Sequence, residues 1–331
     1  MAAQPSEQST ATALVTAATA APSMHNAQPW AFRFHIATRT FEVRADPERT
    51  MPRTDPDHRA LHLGCGAALF NLRAAAAHND FHTRTKVLPD PADPDLLATV
   101  RLDSAAGPDP DLAALFGAIH ERHTSRQPFS DKEIPADLQA LLKEAARQEG
   151  AQLLFADEWH AETVLSLVQD AEGRDTLDPD RFEDMERWTR PGSDSPGTGP
   201  AGDGIPEYAF GPRKRAGKAP VRDFAGRRPV ADRGSDTFED IPHLALLGTH
   251  DDRPANWLRA GQAMERVLLL ATGHGLATSL TSHALEWPDL RQLVRDPLSA
   301  MGHVHMVLRL GYGPSGPGTP RRPVHEVLEV D

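Results

Sequence analysis

The sequence reads as an α+β protein on three observations. Apolar residues recur at helical spacing over 57–78, where Leu61, Cys65, Ala68, Leu69, Leu72 and Ala76 share one face. Short runs of alternating or β-branched residues mark strands toward both ends of the chain. The helices fall too unevenly between those runs for a regular βα repeat. With 331 residues, 39% of them apolar, the chain is long enough for about two domains with a sizeable core.

Taken in chain order, the alanine-rich stretch 10–21 is expected to form a short helix that stops at Pro22, because proline restricts its predecessor and lacks an amide donor. Phe32, Phe34, Ile36, Phe41 and Val43 mark strands over 30–36 and 40–44, joined by a polar turn at 37–39. After the helix at 57–78 come weaker strands at 81–87 and 97–102 and a short helix at 112–119, with a domain seam near 103–111. Helix is expected again at 136–147, strand at 151–156, and helix at 158–172 and 179–188.

The segment 190–234 then changes character, carrying PGSDSPGTGPAGDGIP and GPRKRAGKAP. It reads as a long surface excursion, either disordered or a functional lid, because structureless loops beyond about 12–15 residues are uncommon without such a role. Periodicity returns with a strand at 243–247. A helix opening at 251–254 follows, with Trp257, Ala260, Met264, Val267, Leu268 and Ala271 on its face and Gly273 or Gly275 at its end. Strand or loop is expected at 276–281 and helix at 288–294. The last strand, 303–310, alternates Val304, Met306, Leu308 and Leu310 against His303, His305, Val307 and Arg309.

Charge and cysteine content narrow the function classes. Lys and Arg total 35 against 47 Asp and Glu, a formal charge of −12, which repels nucleic acid and acidic membranes at long range. Neither is expected as a partner. Cys65 is the one cysteine, so no intrachain disulfide forms, and the count suits a reducing cytoplasm. The start of the chain lacks the basic residues and solid apolar run of a signal peptide, and no stretch reaches the roughly 20 apolar residues of a membrane span.

Three segments carry recognisable chemistry. In PSMHNAQPW, Ser23, Asn26 and Gln28 offer short donors and acceptors on a backbone fixed by prolines, suited to the polar edge of a heterocycle; a turn capping the first strand accounts for the same residues. In RHTSRQPF, Arg122 and Arg126 flank hydroxyls in a pattern suited to phosphate, or to a solvated basic turn. Arg321 and Arg322, in PRRP, join that site only if the fold brings them beside Arg122 and Arg126. HVH at His303 and His305 lacks the companions of a metal shell, and Cys65 reads as a packed thiol. Neither a Rossmann fingerprint, a phosphate loop nor a G-x-S-x-G elbow occurs.

APSMHNAQPWAF resembles the P-S-x-x-N-x-Q-P-W segment of the FMN-dependent nitroreductase superfamily, and RHTSRQPF resembles the R-x-S-x-R-x-F motif with which that family holds the FMN phosphate. The arginine motif ordinarily comes first. The inverted order, with LHLGCGAALFNLR, WLRAGQAMERVLLLATGHGLATS, LRLGYG and TPRRPV, is similar to the actinobacterial Acg-type branch of nitroreductase-like proteins, over roughly 11–328.

That resemblance implies a nitroreductase-like fold of two fused halves, 1–110 and 111–331, forming an intramolecular pseudo-dimer around mixed or antiparallel sheets. One composite flavin site is expected per chain. Arg122, Thr124 and Arg126 would hold the phosphate, with His123 near the flavin and Arg321 or Arg322 closing the anionic end. Ser23, Asn26 and Gln28 would contact the ribityl or ring portion, with Met24 and His25 close by. Leu280, Thr281 and Ser282, with His283, stand where the family has P-x-E-G, whose backbone amide faces the flavin; here the usual proline, glutamate and glycine are all replaced.

The implied cofactor is FMN, with NAD(P)H as electron donor. The implied activity is reduction of nitroaromatics, quinones or related small acceptors. Storage of an occluded FMN without turnover and a tailoring oxidase or dehydrogenase are the alternatives. The implied assembly is a monomeric pseudo-dimer or a further homodimer, with 190–234 as a lid.

Overall fold

A computed structural model of the chain describes residues 6–105, 107–190, 192, 202–226 and 230–331. Positions 191, 193–201 and 227–229 of the excursion therefore lie outside the described residues. The first half contains α1 (Glu7–Thr19), β1 (Trp30–His35), β2 (Thr40–Ala45), α2 (Arg59–His78), β3 (His82–Val87) and β4 (Leu96–Asp103). Next come α3 (Pro110–Ala114), α4 (Ala136–Gln148), β5 (Gln152–Phe155), α5 (Glu158–Asp175) and α6 (Pro179–Arg187). The excursion holds β6 (Thr189–Arg190), β7 (Ile205–Pro206), β8 (Arg213–Ala216) and β9 (Ser235–Thr237). The chain closes with β10 (His243–Thr249), α7 (Pro254–Gly273), β11 (Ala277–Thr281), α8 (Pro288–Val294), β12 (His303–Gly311), α9 (Val324–Val327) and β13 (Leu328–Val330). Among the described residues no helix is long and apolar enough to cross a membrane.

Two sheets carry the architecture. The first has the order β13-β1-β2-β4-β3 and is antiparallel except where β13 lies parallel to β1, with Leu328 opposite Phe32 and Val330 opposite Phe34. The second, β11-β12-β10-β5, is antiparallel throughout. The C-terminal strand thus completes the sheet of the opposite half.

Between the sheets α2 crosses α7, and the crossing is close to self-symmetric. Each helix is 20 residues long with glycine at its eighth position, Gly66 and Gly261. A Cβ on Gly66 would strike the Leu258 carbonyl, and one on Gly261 would strike the Leu63 carbonyl. Each helix is followed by an edge strand, β3 after α2 and β11 after α7. The repeated helix–strand unit is the internal two-fold expected of fused halves.

Most elements lie within a few residues of their expected places, and the departures have local causes. The helix expected at 112–119 is split: Asp109 accepts from the Asp111 and Leu112 amides to start α3, which gives way to a 3-10 turn at Phe116–Ala118. The alternation expected for 303–310 does not produce a wet face, since β12 is covered on both sides. Met306, Leu308 and Leu310 face one apolar cluster, and Val304 and Val307 another. Arg309 is tolerated there because it forms a bidentate pair with Glu239 and lies 3.7 Å from the Phe129 ring. His305 meets Thr249 Oγ1 at 2.6 Å.

Candidate functional site

The turn that joins α1 to β1 forms one wall of an internal pocket. Its backbone is unusual: His25, Asn26 and Gln28 have φ of 50°, 55° and 53°, the left-handed region that side chains other than glycine rarely occupy. Such positions persist where their surroundings over-determine them. Here the Gln28 amide donates to Ser23 Oγ (2.9 Å), and Asn26 Nδ2 donates to the carbonyls of Gly204 (2.9 Å) and Pro320 (3.0 Å). Gly64 in α2 lets the turn approach, since a Cβ there would lie 3.2 Å from Ser23 Cβ.

The segment 122–126 forms the opposite wall along the edge of β11. Thr124 bridges Thr278 in parallel, and the Ser125 amide donates to the Thr278 carbonyl (2.8 Å). The Arg122 guanidinium is 3% exposed, donates through Nη2 to the Ala20 carbonyl (3.2 Å) and stands 3.5 Å from Glu265, itself fully buried in α7. Among the described residues Arg122 Nε and Nη1 have no hydrogen-bond partner. Arg126 donates to the Ala209 carbonyl (3.0 Å) and lies 4.9 Å from the Phe224 ring.

The glycine-rich strap before PRRP closes a third side. Gly316 lies against the Thr124 carbonyl, too close for a side chain of its own, and Gly318 lies in van der Waals reach of the His123 ring. Arg321 then donates to the carbonyls of Thr19 (2.7 Å), Ala20 (3.0 Å) and Ala21 (3.2 Å) and to Asn26 Oδ1 (2.9 Å), tying the C-terminal strap to the N-terminal turn.

The resulting pocket encloses about 1130 Å³ of empty space, open solvent at its mouth included, of which water-sized centres can occupy about 100 Å³. It is a narrow slot. Ser23, Met24, His25, Asn26, Arg122, His123, Thr124, Arg126, Leu280, Ser282 and Arg321 line it. The other three sequence candidates stand behind its wall. Gln28 is fully buried, donating to the Gly202 carbonyl (2.6 Å) and accepting from the Arg322 amide (2.9 Å). Arg322 reaches Asp46 at 3.2 Å, and Thr281 Oγ1 donates to the Pro220 carbonyl (3.0 Å).

Arg59, Arg222, Phe224 and Glu286 line the same pocket and were not singled out in the sequence; His283, the last residue of the replaced P-x-E-G stretch, lines it too. Arg59 opens α2, but its donors go to the His305 (2.6 Å) and Leu285 (3.0 Å) carbonyls. Arg222 pairs with Glu286 at 2.5 Å, and Phe224 meets His25 edge-on at 5.4 Å. Arg222 and Phe224 come from the Pro/Gly-rich excursion, where no periodicity announces a side chain's direction.

Five guanidiniums and one carboxylate make the lining strongly cationic. Burial, then Arg122, lowers the Arg321 pKa to about 9, and burial, then Arg222, lowers Arg126 to about 10. Burial likewise lowers His123, with Arg122 adding to it, and pushes His25 well below the ordinary histidine range. Burial raises the Glu265 carboxyl against the opposing pull of Arg122. Crowded buried cations with an unspent donor on Arg122 are a site for an anion with several oxygens, such as a phosphate. The sulfur of Cys65 only donates to the Pro29 carbonyl (3.2 Å), with burial pushing its pKa up.

The Nitroreductase family model matches residues 119–312. Across nearly the whole chain, the Mycobacterium tuberculosis H37Rv protein named "Putative NAD(P)H nitroreductase Rv3131" is 32% identical over 324 residues, 96% of this chain and 90% of its own length. A second protein of that strain, "Putative NAD(P)H nitroreductase acg", is 29% identical over 94% of this chain and 92% of its own. The crystal structure of the FMN and NADPH-dependent nitroreductase NfnB from a Sphigopyxis strain covers 64% of this chain and 96% of its own at 18% identity. Its TM-score of 0.40 is too low for a residue-level comparison.

Proposed function

The chain belongs to the Nitroreductase family, and from that premise we propose that it is an FMN-dependent NAD(P)H oxidoreductase of the Acg-type branch, acting on nitroaromatics, quinones or related small acceptors. The branch assignment is supported by the inverted order of the two motifs and by the self-symmetric α2–α7 crossing between the proposed halves 1–110 and 111–331. In this reading the protein is cytoplasmic and works as a monomeric pseudo-dimer or as a homodimer of such units.

The single observation that carries the cofactor assignment is the Arg122 guanidinium, buried with Nη1 unspent among the described residues, in a pocket shared with the N-terminal turn. Arg122, Thr124 and Arg126 would take the phosphate oxygens, and Arg321, its donors spent on the turn, would close the anionic end with its charge. Ser23, Met24, His25, Asn26 and His123 would face the ribityl and ring portions beside Leu280 and Ser282. Thr281 would contribute backbone only, while Gln28 and Arg322 hold the turn and strap in place. Bound FMN would supply the hydride chemistry, which asks the protein for orientation and electrostatics rather than a nucleophile. Slot-like walls exclude bulk water and press a planar ring into one orientation.

A second reading, storage of an occluded FMN, is favoured by one observation. Phe224 of the excursion packs on both His25 and Arg126, so the segment that could admit a nicotinamide also covers the pocket. Steady-state oxidation of NADH or NADPH by the FMN-loaded protein separates the two. Many turnovers with a nitroaromatic or quinone are expected; bound flavin that no nicotinamide reduces would remove the oxidoreductase reading and leave storage.

A further inference from the structure

Beside the slot lies a second and roomier cavity. Water-sized centres can occupy about 960 Å³ of it, and Glu172, Asp175, Phe182, Phe210, Phe238 and His283 are among its walls. His283 borders both spaces. We propose that His283, backed by Glu172, is the port through which protons pass from this outer chamber into the inner slot, an inference that rests on the reductase reading for the need it serves.

The geometry is specific. His283 begins the 3-10 turn directly after Ser282 and is 2% exposed. Its Nε2 lies 3.7 Å from Glu172 Oε1, too far for a direct hydrogen bond. Among the described residues neither ring nitrogen has a hydrogen-bond partner. Leaving buried polar atoms unpaired is costly, so water from the adjoining cavities is the natural partner of both.

The titratable groups that face the ring are Arg222 and Lys214 from the excursion, the neutral His25 from the N-terminal turn and Glu172 from α5. Burial first, then the Arg222 cation, keeps the imidazole neutral, with one nitrogen donating and the other accepting. Such a ring accepts a proton at one edge and releases one at the other. Burial raises the pKa of the Glu172 carboxyl, so it holds its proton more readily than a freely exposed glutamate.

The need is set by stoichiometry. An acceptor A reduced by a nicotinamide follows A + NAD(P)H + H⁺ → AH₂ + NAD(P)⁺: the dihydronicotinamide C–H bond breaks, its electron pair leaves as hydride, and one further proton must arrive from solvent. The proton moves from Glu172 through an intervening chamber water to His283 Nε2 while Nδ1–H releases one into the slot. Chamber water then reprotonates Glu172, and the ring returns to its first tautomer.

The test uses the full-length FMN-loaded chain with His283→Leu, His283→Ala and Glu172→Gln. Flavin retention on desalting and flavin reduction by NAD(P)H, which needs no proton from solvent, should match the wild type in Glu172→Gln, and reoxidation rates of the His283 variants are read per bound flavin. Anaerobic reoxidation by a quinone should slow about 100-fold in His283→Leu, the ordinary scale of general acid–base catalysis. Added imidazole, which the outer chamber can admit, should restore much of the rate in His283→Ala. Wild-type reoxidation in His283→Leu, or a slow His283→Ala that imidazole does not rescue, would overturn the port.

A chain that retains no FMN would overturn the reductase reading instead. The port is then decided by solvent exchange of the His283 ring N–H, followed by nitrogen-15 NMR. Exchange that slows about tenfold or more in Glu172→Gln supports it; equal protection in both proteins overturns it.

Discussion

At the scale of single residues, Arg122 joins fold and ligand. It faces the buried carboxylate of Glu265 through Nε and keeps Nη1 free among the described residues. Arg122→Ala should weaken FMN binding by about 10–100-fold, from the roughly 1.5–3 kcal/mol of hydrogen bonds to a charged group. It should also lower thermal stability, because Glu265 is left as an uncompensated buried charge. Arg122→Lys should lose less of both. Fluorescence titration with FMN and a thermal melt measure the two effects separately.

The same cluster fixes a pH window. A phosphate monoester gains its second charge near pH 6, and Arg321 loses its own near pH 9. FMN affinity should therefore fall as pH drops below about 6 and again as it rises past about 9. A flat profile across that range would show that charge does not hold the ligand.

These residues differ in how far the sequence announces them. Ser23, Asn26, Arg122 and Arg126 lie in compact motifs whose chemistry is legible without a fold. Gln28 belongs to one of those motifs, yet its amide is spent on Gly202 and the Arg322 backbone, a role set by distant segments. Glu265 looks like any polar position on a helix until Arg122, far away in sequence, packs over it.

At the scale of elements, three glycines on the crossing helices have distinct duties. Gly66→Ala and Gly261→Ala each place a methyl group against a carbonyl of the opposing helix, backbone that cannot move aside alone. Each should destabilise the protein by about 1–3 kcal/mol or more, read as a lower denaturant midpoint. Gly64→Ala presses instead on Ser23 in the left-handed turn, so it should reduce FMN retention more than it reduces stability.

The excursion is anchored beside that turn by Asp203, which pairs with Arg49 at 2.9 Å and Arg190 at 2.6 Å. Asp203→Asn should loosen the cover and speed FMN release in a stopped-flow displacement experiment. An unchanged release rate would mean that the anchor does not control access. Elements with strong periodicity, such as α2 and α7, were legible to within a few residues, whereas the strands of the excursion were not. β8 and β9 are short, exposed and defined only by each other. β13 was missed for a related reason: Leu328–Val330 becomes a strand by lying beside Phe32–Phe34.

At the scale of the whole molecule, the motif order that looks inverted along the sequence is resolved in space. The N-terminal turn, the segment 122–126 and the C-terminal strap meet in one slot, held by Arg321 across to Thr19, Ala20, Ala21 and Asn26. The α+β class was readable from periodicity. The convergence was readable only through a resemblance, because no local pattern states which distant segments touch. The internal repeat was hidden too, since the two helices share spacing and a crossing glycine more than they share residues.

The composite slot is most directly tested by the flavin stoichiometry of the purified, FMN-reconstituted chain, from the ratio of flavin absorbance to protein after exhaustive desalting, run beside Arg122→Ala. The account predicts one FMN per chain, and its loss from the variant. Two flavins per chain, none at all, or undiminished retention in Arg122→Ala would contradict it.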